Sequence, residues 1–181
     1  MTVQVTRKDD SATNGTIYSE KRGIRPFSTP HPDAYASFLG EERMERVWKA
    51  AERLKGLKLL EMNATATGGG VAEMLFGSIP FMNALGVEAD WQIISGSPEY
   101  YETTKSLHNM LQGKKQRFTP EMQEIYYSSL VKYAETDPIN HDVDVVLIHD
   151  PQPLGLIDLL KRPKQTWLWR CHIDIEEESM I

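Results

Sequence analysis

Four short apolar segments alternate along the chain with longer segments of helical periodicity, and this alternation constrains the fold more than any other feature. In residues 144–148, four apolar residues follow one another, which is typical of a strand buried on both faces of a parallel sheet. The other segments span residues 57–62, 87–95 and 166–169. Because parallel strands need crossover connections, the pattern predicts an α/β domain with a Rossmann-like parallel sheet, flanking helices and right-handed connections.

Helix signals lie between these segments. Ser97-Pro98 and Thr119-Pro120 each combine an N-cap residue with a proline at the first helical position. Apolar residues recur at helical spacing, with a kink expected at Pro80, over residues 41–55, 71–85 and 154–161. The first 40 residues carry no such period. We therefore predict an N-terminal arm over residues 1–40 and one domain over residues 41–181, since 181 residues suit one sizeable core rather than two.

Charge and composition exclude several classes of protein. The formal net charge of −6 argues against a nucleic-acid binder, which needs a basic face to neutralise phosphates. No apolar run approaches the roughly 20 residues that span a bilayer, and residues 1–4 do not begin a signal peptide. Cys171 is the single cysteine, so an internal disulfide is impossible. We expect a cytoplasmic protein without a nucleic-acid or membrane partner.

Three consecutive glycines, Gly68-Gly69-Gly70, separate the first predicted strand from its helix. Glycines let a ligand approach the backbone closely, and the following helix directs free N–H groups and a partial positive charge at the turn. Such a turn can bind an anion, typically a phosphate. A tight turn without a ligand is the alternative. The chain has neither the P-loop nor the dinucleotide-binding glycine spacing.

Two further polar motifs follow the third and fourth predicted strands, at the ends where ligands bind in open α/β sheets. In the first, His149-Asp150, the carboxylate could hold sugar hydroxyls or could cap the next turn. In the second, a two-residue strand period would place three polar side chains on one face. These are Arg170, His172 and Asp174. The histidine could also be structural. No Cys/His spacing suggests a metal site, so no cofactor is expected in this segment.

Taken in order, four motifs resemble the trehalose synthases of glycosyltransferase family 4, over about residues 41–174. They are Asn63-Ala64-Thr65 with the glycines and Val71-Ala72-Glu73, Leu107 to Gly113, His149 to Pro153, and Trp169 to Asp174. The resemblance implies the N-terminal half of a GT-B fold, in which this half holds the acceptor sugar and a second domain holds a nucleotide-diphosphate glucose. The implied activity is that of a hexosyltransferase, which forms trehalose from that donor and glucose with the donor's anomeric configuration retained.

The resemblance also assigns roles to particular residues. Gly68, Gly69 and Gly70 would face the donor diphosphate, and His172 would contact the donor glucose as a catalytic residue. Asp150 would orient the acceptor as a second catalytic residue. Arg170 would serve as a substrate contact or a support for His172, and His149 would contact the substrate. It allows for Mg²⁺ in the complete enzyme. Glucose or trehalose and the nucleotide sugar are the expected partners.

Several alternatives stay open on the sequence alone. One is a trehalose phosphorylase of the same fold, and another is a non-catalytic α/β module that binds a sugar or nucleotide. A third is a packing domain whose cleft pairs with another chain. The donor half of the family pattern is missing, so we expect a truncated chain with little or no activity alone. An apolar edge exposed by truncation would favour a homo-oligomer.

Overall fold

The computed structural model describes residues 31–136, 139 and 142–174. Most of the predicted arm, residues 1–30, lies outside these residues. Its last part is ordered against the domain: a 3₁₀ turn, Pro32–Tyr35, leads into a short helix α1, Ala36–Leu39. The Tyr35 ring packs edge-on against Phe81 at a centroid distance of 5.2 Å. Residues 31–39 therefore contact the domain rather than extending from it.

Four strands form one fully parallel sheet, as predicted. They are β1 Lys58–Asn63, β2 Glu88–Ile93, β3 Val145–His149 and β4 Thr166–Arg170. The order across the sheet is β2-β1-β3-β4. Met62 of β1 lies beside Ile148 of β3, and His149 of β3 lies beside Arg170 of the edge strand β4. The fold class predicted from the sequence, a Rossmann-like α/β sheet with flanking helices, is confirmed.

The four longer helices include the two for which N-terminal capping signals are predicted, at Ser97-Pro98 and Thr119-Pro120. They are α2 Glu41–Leu54, α3 Gly70–Ala84, α4 Pro98–Leu111 and α5 Pro120–Thr136. The Ser97 hydroxyl accepts a hydrogen bond from the Tyr100 backbone N–H at 3.2 Å, as its N-cap position predicts. Helix α3 continues past Pro80 as one element. The last helix, α6 Leu156–Leu160, is shorter than residues 154–161, because the preceding residues form turns closed by bonds to the Pro151 and Pro153 carbonyls.

Helices cover the sheet on both faces, each over its own apolar cluster. One cluster joins Leu60 and Met62 of β1 to α4, α5 and α6 through Tyr100, Leu130 and Leu156. The other cluster packs α3 against β2. Its buried members include Leu75, Ile79, Ala89, Trp91 and Ile93. Since successive strand residues point to opposite faces, the even-numbered residues of β1 and β3 enter the first cluster. Glu61 and His149 therefore lie on the other face.

The chain reverses its direction across the sheet between β1 and β3. Strand β1 continues through α3 to β2 on one side, and β3 continues through α6 to β4 on the other. In open α/β sheets this arrangement opens a crevice at the carboxyl ends of the two central strands, where ligands bind. The glycine turn follows β1 and the loop from Asp150 follows β3. Both predicted ligand segments therefore border that crevice.

Gly96, just before α4, allows this helix to lie close to the sheet. A substitution at Gly96 therefore tests the packing of α4. A Cβ atom on Gly96 would lie 2.2 Å from Cδ1 of Tyr100, whose ring is buried and whose hydroxyl is bonded to the Gln152 carbonyl. We expect Gly96→Ala to destabilise the chain by about 1–3 kcal/mol in urea unfolding followed by circular dichroism.

The matched control for this substitution is Gly77→Ala. Gly77 lies inside α3, and a Cβ there meets no atom within 4 Å. Alanine should raise the stability by up to about 1 kcal/mol through its helix propensity. Equal unfolding midpoints for the two variants would contradict the close approach of α4.

Candidate ligand site at the carboxyl edge of the sheet

A chain of three polar side chains crosses the carboxyl edge of the central strands. Oε2 of Glu61, on β1, lies 2.6 Å from Nε2 of His149, the last residue of β3. Nδ1 of His149 lies 2.8 Å from Nε2 of His172, just after β4. Glu61 is 4% exposed and His149 is 1% exposed. The sheet therefore holds the three groups in a fixed line that runs from its interior to its surface.

His172 is the exposed end of this line. The residue as a whole is exposed, but its Nε2 is turned towards buried His149, and the two rings stack at a centroid distance of 5.1 Å. Burial of this side of the ring lowers the pKa of His172, Asp150 acts in the opposite direction, and His149 and Arg170 lower it further. The lowered pKa favours the neutral form of the imidazole.

The lowered pKa of His172 also has a consequence for stability. As pH falls below about 6.5, the unfolded chain binds a proton at this residue before the folded chain does. Above about pH 6.5, His172 therefore makes no pH-dependent contribution to the free energy of unfolding. The folded state loses stability as pH falls through the interval between the ordinary and the lowered pKa of His172.

Asp150 connects the turn after β3 to the segment after β4. Its Oδ1 accepts a hydrogen bond from the His172 backbone N–H at 2.8 Å, and its own N–H donates to the Arg170 carbonyl at 2.9 Å. Its carbonyl accepts a bond from Nε1 of Trp169, also at 2.9 Å. One carboxylate oxygen of Asp150 therefore positions the His172 backbone. The alternative role considered from the sequence, a cap for its own turn, is replaced by this longer connection.

The glycine turn lies at the end of β1. Gly68 has a φ of +79°, which favours glycine, whereas Gly69 is extended and Gly70 begins α3. A Cβ at Gly68 or Gly70 would meet no atom within 4 Å, and one at Gly69 would only touch the Thr65 hydroxyl at 4.0 Å. Internal packing therefore does not require glycine at the last two positions. The first turn of α3 has no side-chain cap from Gly69, so its backbone donors face the open side of the turn.

Asn63 anchors the start of this turn. Its Oδ1 accepts a bond from Nε1 of buried Trp91 at 2.8 Å, and its Nδ2 donates to the Thr65 carbonyl at 2.8 Å. The amide therefore joins β2 to the segment that leads into the glycines. Sequence reasoning used Asn63 only as part of a motif and assigned it no role.

The remaining predicted site residues lie in different surroundings. His149 is buried with both ring nitrogens engaged, so it supports His172 and does not reach a ligand itself. Strand β4 ends at Arg170, so the strand alternation used to align Arg170, His172 and Asp174 does not continue to the last two. Arg170 is exposed, and its charge is felt at His172.

Glu61 is the site residue that the sequence analysis missed. It was counted as one position of an apolar strand, although a lone carboxylate in such a strand is the signal that could have identified it. Among the described residues, no group of three His, Cys, Asp or Glu side chains is suited to hold a metal ion. No helix within the described ranges is long and apolar enough to cross a membrane.

The fold and this site define a Rossmann-like α/β domain with a polar crevice at the switch point of its sheet. The family described as "Trehalose synthase, N-terminal domain" matches residues 61–180. The chain is 42% identical to the trehalose synthase of Thermococcus litoralis over 147 residues, which cover 81% of this chain and 35% of that protein. It is 36% identical to the trehalose phosphorylase of Grifola frondosa over 159 residues, which cover 81% of this chain and 22% of that protein.

The chain therefore belongs to the family of trehalose synthase N-terminal domains, and the resemblance noted from its motifs is confirmed. A second synthase, from Rubrobacter xylanophilus, is 35% identical over 144 residues, which cover 77% of this chain and 34% of that protein. The chain spans about a third of the length of the synthases it matches. These relatives are enzymes of trehalose metabolism.

The influence of Asp150 on His172 can be tested by removing only its charge. Asparagine tolerates the left-handed backbone of this position, where φ is 63°, and its amide oxygen can still accept the His172 N–H. We expect Asp150→Asn to lower the pKa of His172 further in a nuclear magnetic resonance (NMR) titration of the histidine rings. His172→Gln would assign the signal among the five histidines. An unchanged or raised pKa would contradict the proximity of the two groups.

Proposed function

We propose that this chain is the acceptor-side domain of a retaining glycosyltransferase that forms trehalose from a nucleotide-diphosphate glucose and glucose. The observation that carries the proposal is the placement of His172. Its ring is held 2.8 Å from buried His149 at the carboxyl edge of the sheet, close to the loop after β3. A neutral, oriented imidazole at this edge suits hydrogen bonding to a sugar hydroxyl near the reacting carbon.

The glycine turn supplies the complementary part of the site. In a transfer from a nucleotide sugar, negative charge develops on the oxygens of the leaving diphosphate. Backbone N–H groups at the start of α3 and the helix dipole can stabilise that charge without any side chain. Open space around Gly69 and Gly70 would let a diphosphate lie directly against the backbone.

Retention of configuration would not depend here on a pair of catalytic carboxylates. A glycosidase that retains configuration uses two carboxylates that flank the bond being broken. Here Glu61 is buried in contact with His149, and one oxygen of Asp150 accepts the His172 N–H. We assign Oδ2 of Asp150 to the acceptor sugar. The leaving phosphate would then assist the acceptor hydroxyl on the same face of the donor.

A phosphorylase is the second candidate function. Its support is the 36% identity to the fungal trehalose phosphorylases over 81% of the chain. Both reactions would place a glucose beside His172 and an anion at the glycine turn. The synthase is preferred because identity is higher, at 42%, with the archaeal synthases.

A domain exchange tests the proposed reaction. Residues 31–174 would replace the matching segment of the Pyrococcus furiosus trehalose synthase, which supplies the rest of the enzyme. We expect this chimera to form trehalose from nucleotide-diphosphate glucose and glucose, measured by chromatography of the products. His172→Ala should lower kcat about 10²-fold or more, because it removes an oriented polar contact in the reacting site. The 181-residue chain alone should show little turnover.

The control for this exchange is His31→Ala. His31 is exposed and bonds locally to the Asp33 backbone N–H, so kcat should not change. A folded chimera without turnover would favour a non-catalytic module. Turnover only in the corresponding chimera with the Grifola frondosa phosphorylase, assayed with trehalose and phosphate, would favour that enzyme instead.

The diphosphate site has its own test at Gly69. Its extended backbone accepts any residue and a Cβ there makes no close contact, so Gly69→Val should fold normally. In the chimera the added side chain would block close approach of the diphosphate, and KM for the nucleotide sugar should rise about tenfold or more. Gly77→Ala, inside the helix that follows Gly69, is the control. An unchanged KM for Gly69→Val would remove the glycine turn from the donor site.

A further inference from the structure

Glu61 and His149 limit where the protons on His172 can lie. An ionised carboxylate only accepts hydrogen bonds, so the 2.6 Å contact with Glu61 requires a proton on Nε2 of His149. In a neutral imidazole the other nitrogen, Nδ1, is then an acceptor. With a single proton on His149, the 2.8 Å contact from Nδ1 of His149 to Nε2 of His172 places the proton of His172 on Nε2, whereas a second proton on His149 would reverse donor and acceptor.

We infer that Glu61, acting through His149, fixes His172 as the neutral tautomer with its proton on Nε2, so that Nδ1 meets the ligand as a hydrogen-bond acceptor. Glu61 and His149 are thus positioning residues. The arrangement has the logic of a carboxylate that fixes the tautomer of a catalytic histidine, extended here by a second imidazole.

The charged and titratable groups around the pair are consistent with this proton arrangement. Arg170 faces His172 from the end of β4, and Asp150 faces it from the turn after β3. The positive charge of Arg170 and the buried second ring both disfavour an additional proton on His172. Asp150 and Glu61 oppose them, and one oxygen of Asp150 is bonded to the His172 backbone N–H.

The tautomer determines what kind of group His172 can bind. A lone pair on Nδ1 accepts a hydrogen bond from the hydroxyl of an uncharged sugar and disfavours a phosphate oxygen, which has no proton to donate at neutral pH. The two parts of the donor would therefore bind at different places. The diphosphate would bind at the glycine turn, and a glucose hydroxyl would bind to His172. This division rests on the proposed function, whereas the tautomer is a property of the chain itself.

Long-range ¹H–¹⁵N correlation NMR of the 181-residue chain, labelled at histidine, reads the tautomer directly at neutral pH. We expect a protonated Nε2 and an unprotonated Nδ1 for His172. Glutamine at position 61 keeps the side-chain size but offers both a donor and an acceptor, so Glu61→Gln should abolish the preference and give Nδ1–H or an average of tautomers. Glu45→Gln, on the exposed face of α2, should leave the spectrum of His172 unchanged.

Two results would overturn the inference. One is a protonated Nδ1 on His172 in the unmodified chain, which needs no variant to be stable. The other is an unchanged tautomer in folded Glu61→Gln.

In the chimera, Glu61→Gln should lower kcat/KM about tenfold or more. A fully active Glu61→Gln chimera would remove the role of the tautomer in catalysis. An inactive parent chimera with the expected tautomer would contradict the proposed function while leaving the proton arrangement intact.

Discussion

The buried contact between Glu61 and His149 is the interaction on which the carboxyl edge of this domain depends. A carboxylate with 4% exposure is costly to bury unless it is hydrogen-bonded, and leaving a buried polar group without its partner costs about 1–3 kcal/mol, or more when the group is charged. The contact joins β1 to β3, and its continuation to His172 reaches the end of β4. Polar groups at the carboxyl edge of the sheet therefore connect three neighbouring strands.

Sheet topology explains why this contact can reach a ligand site at all. Because β1 and β3 lead to opposite sides of the sheet, their connections diverge and leave a crevice between them at their carboxyl ends. The glycine turn borders this space from β1, and Asp150 borders it from β3. A chain with the same strands in sequential order would have placed Glu61 and His149 on strands that are not neighbours.

Much of the fold followed from the sequence, because buried parallel strands and capped helices leave local signals. Runs such as Val145 to Ile148 and caps such as Ser97 were sufficient to predict the parallel sheet and its helices. The site was less accessible, because its geometry depends on pairs far apart in the chain. Glu61 and His149 are 88 residues apart, and nothing local distinguishes a buried histidine that supports another from one that binds a ligand. The extension of a strand period from Arg170 to Asp174 failed because β4 ends at Arg170.

The backbone of Asp150 shows that His172 is held from two directions. A φ of 63° in a residue other than glycine costs about 1–2 kcal/mol, and such a conformation persists where surrounding bonds determine it. Here all three bonds of Asp150 go to β4 or its continuation, at Trp169, Arg170 and His172. The strained turn thus fixes the backbone of His172, while His149 fixes its ring. Oδ1 already accepts this backbone bond, whereas no hydrogen bond among the described residues engages Oδ2, so Oδ2 is the oxygen that we assign to a sugar hydroxyl.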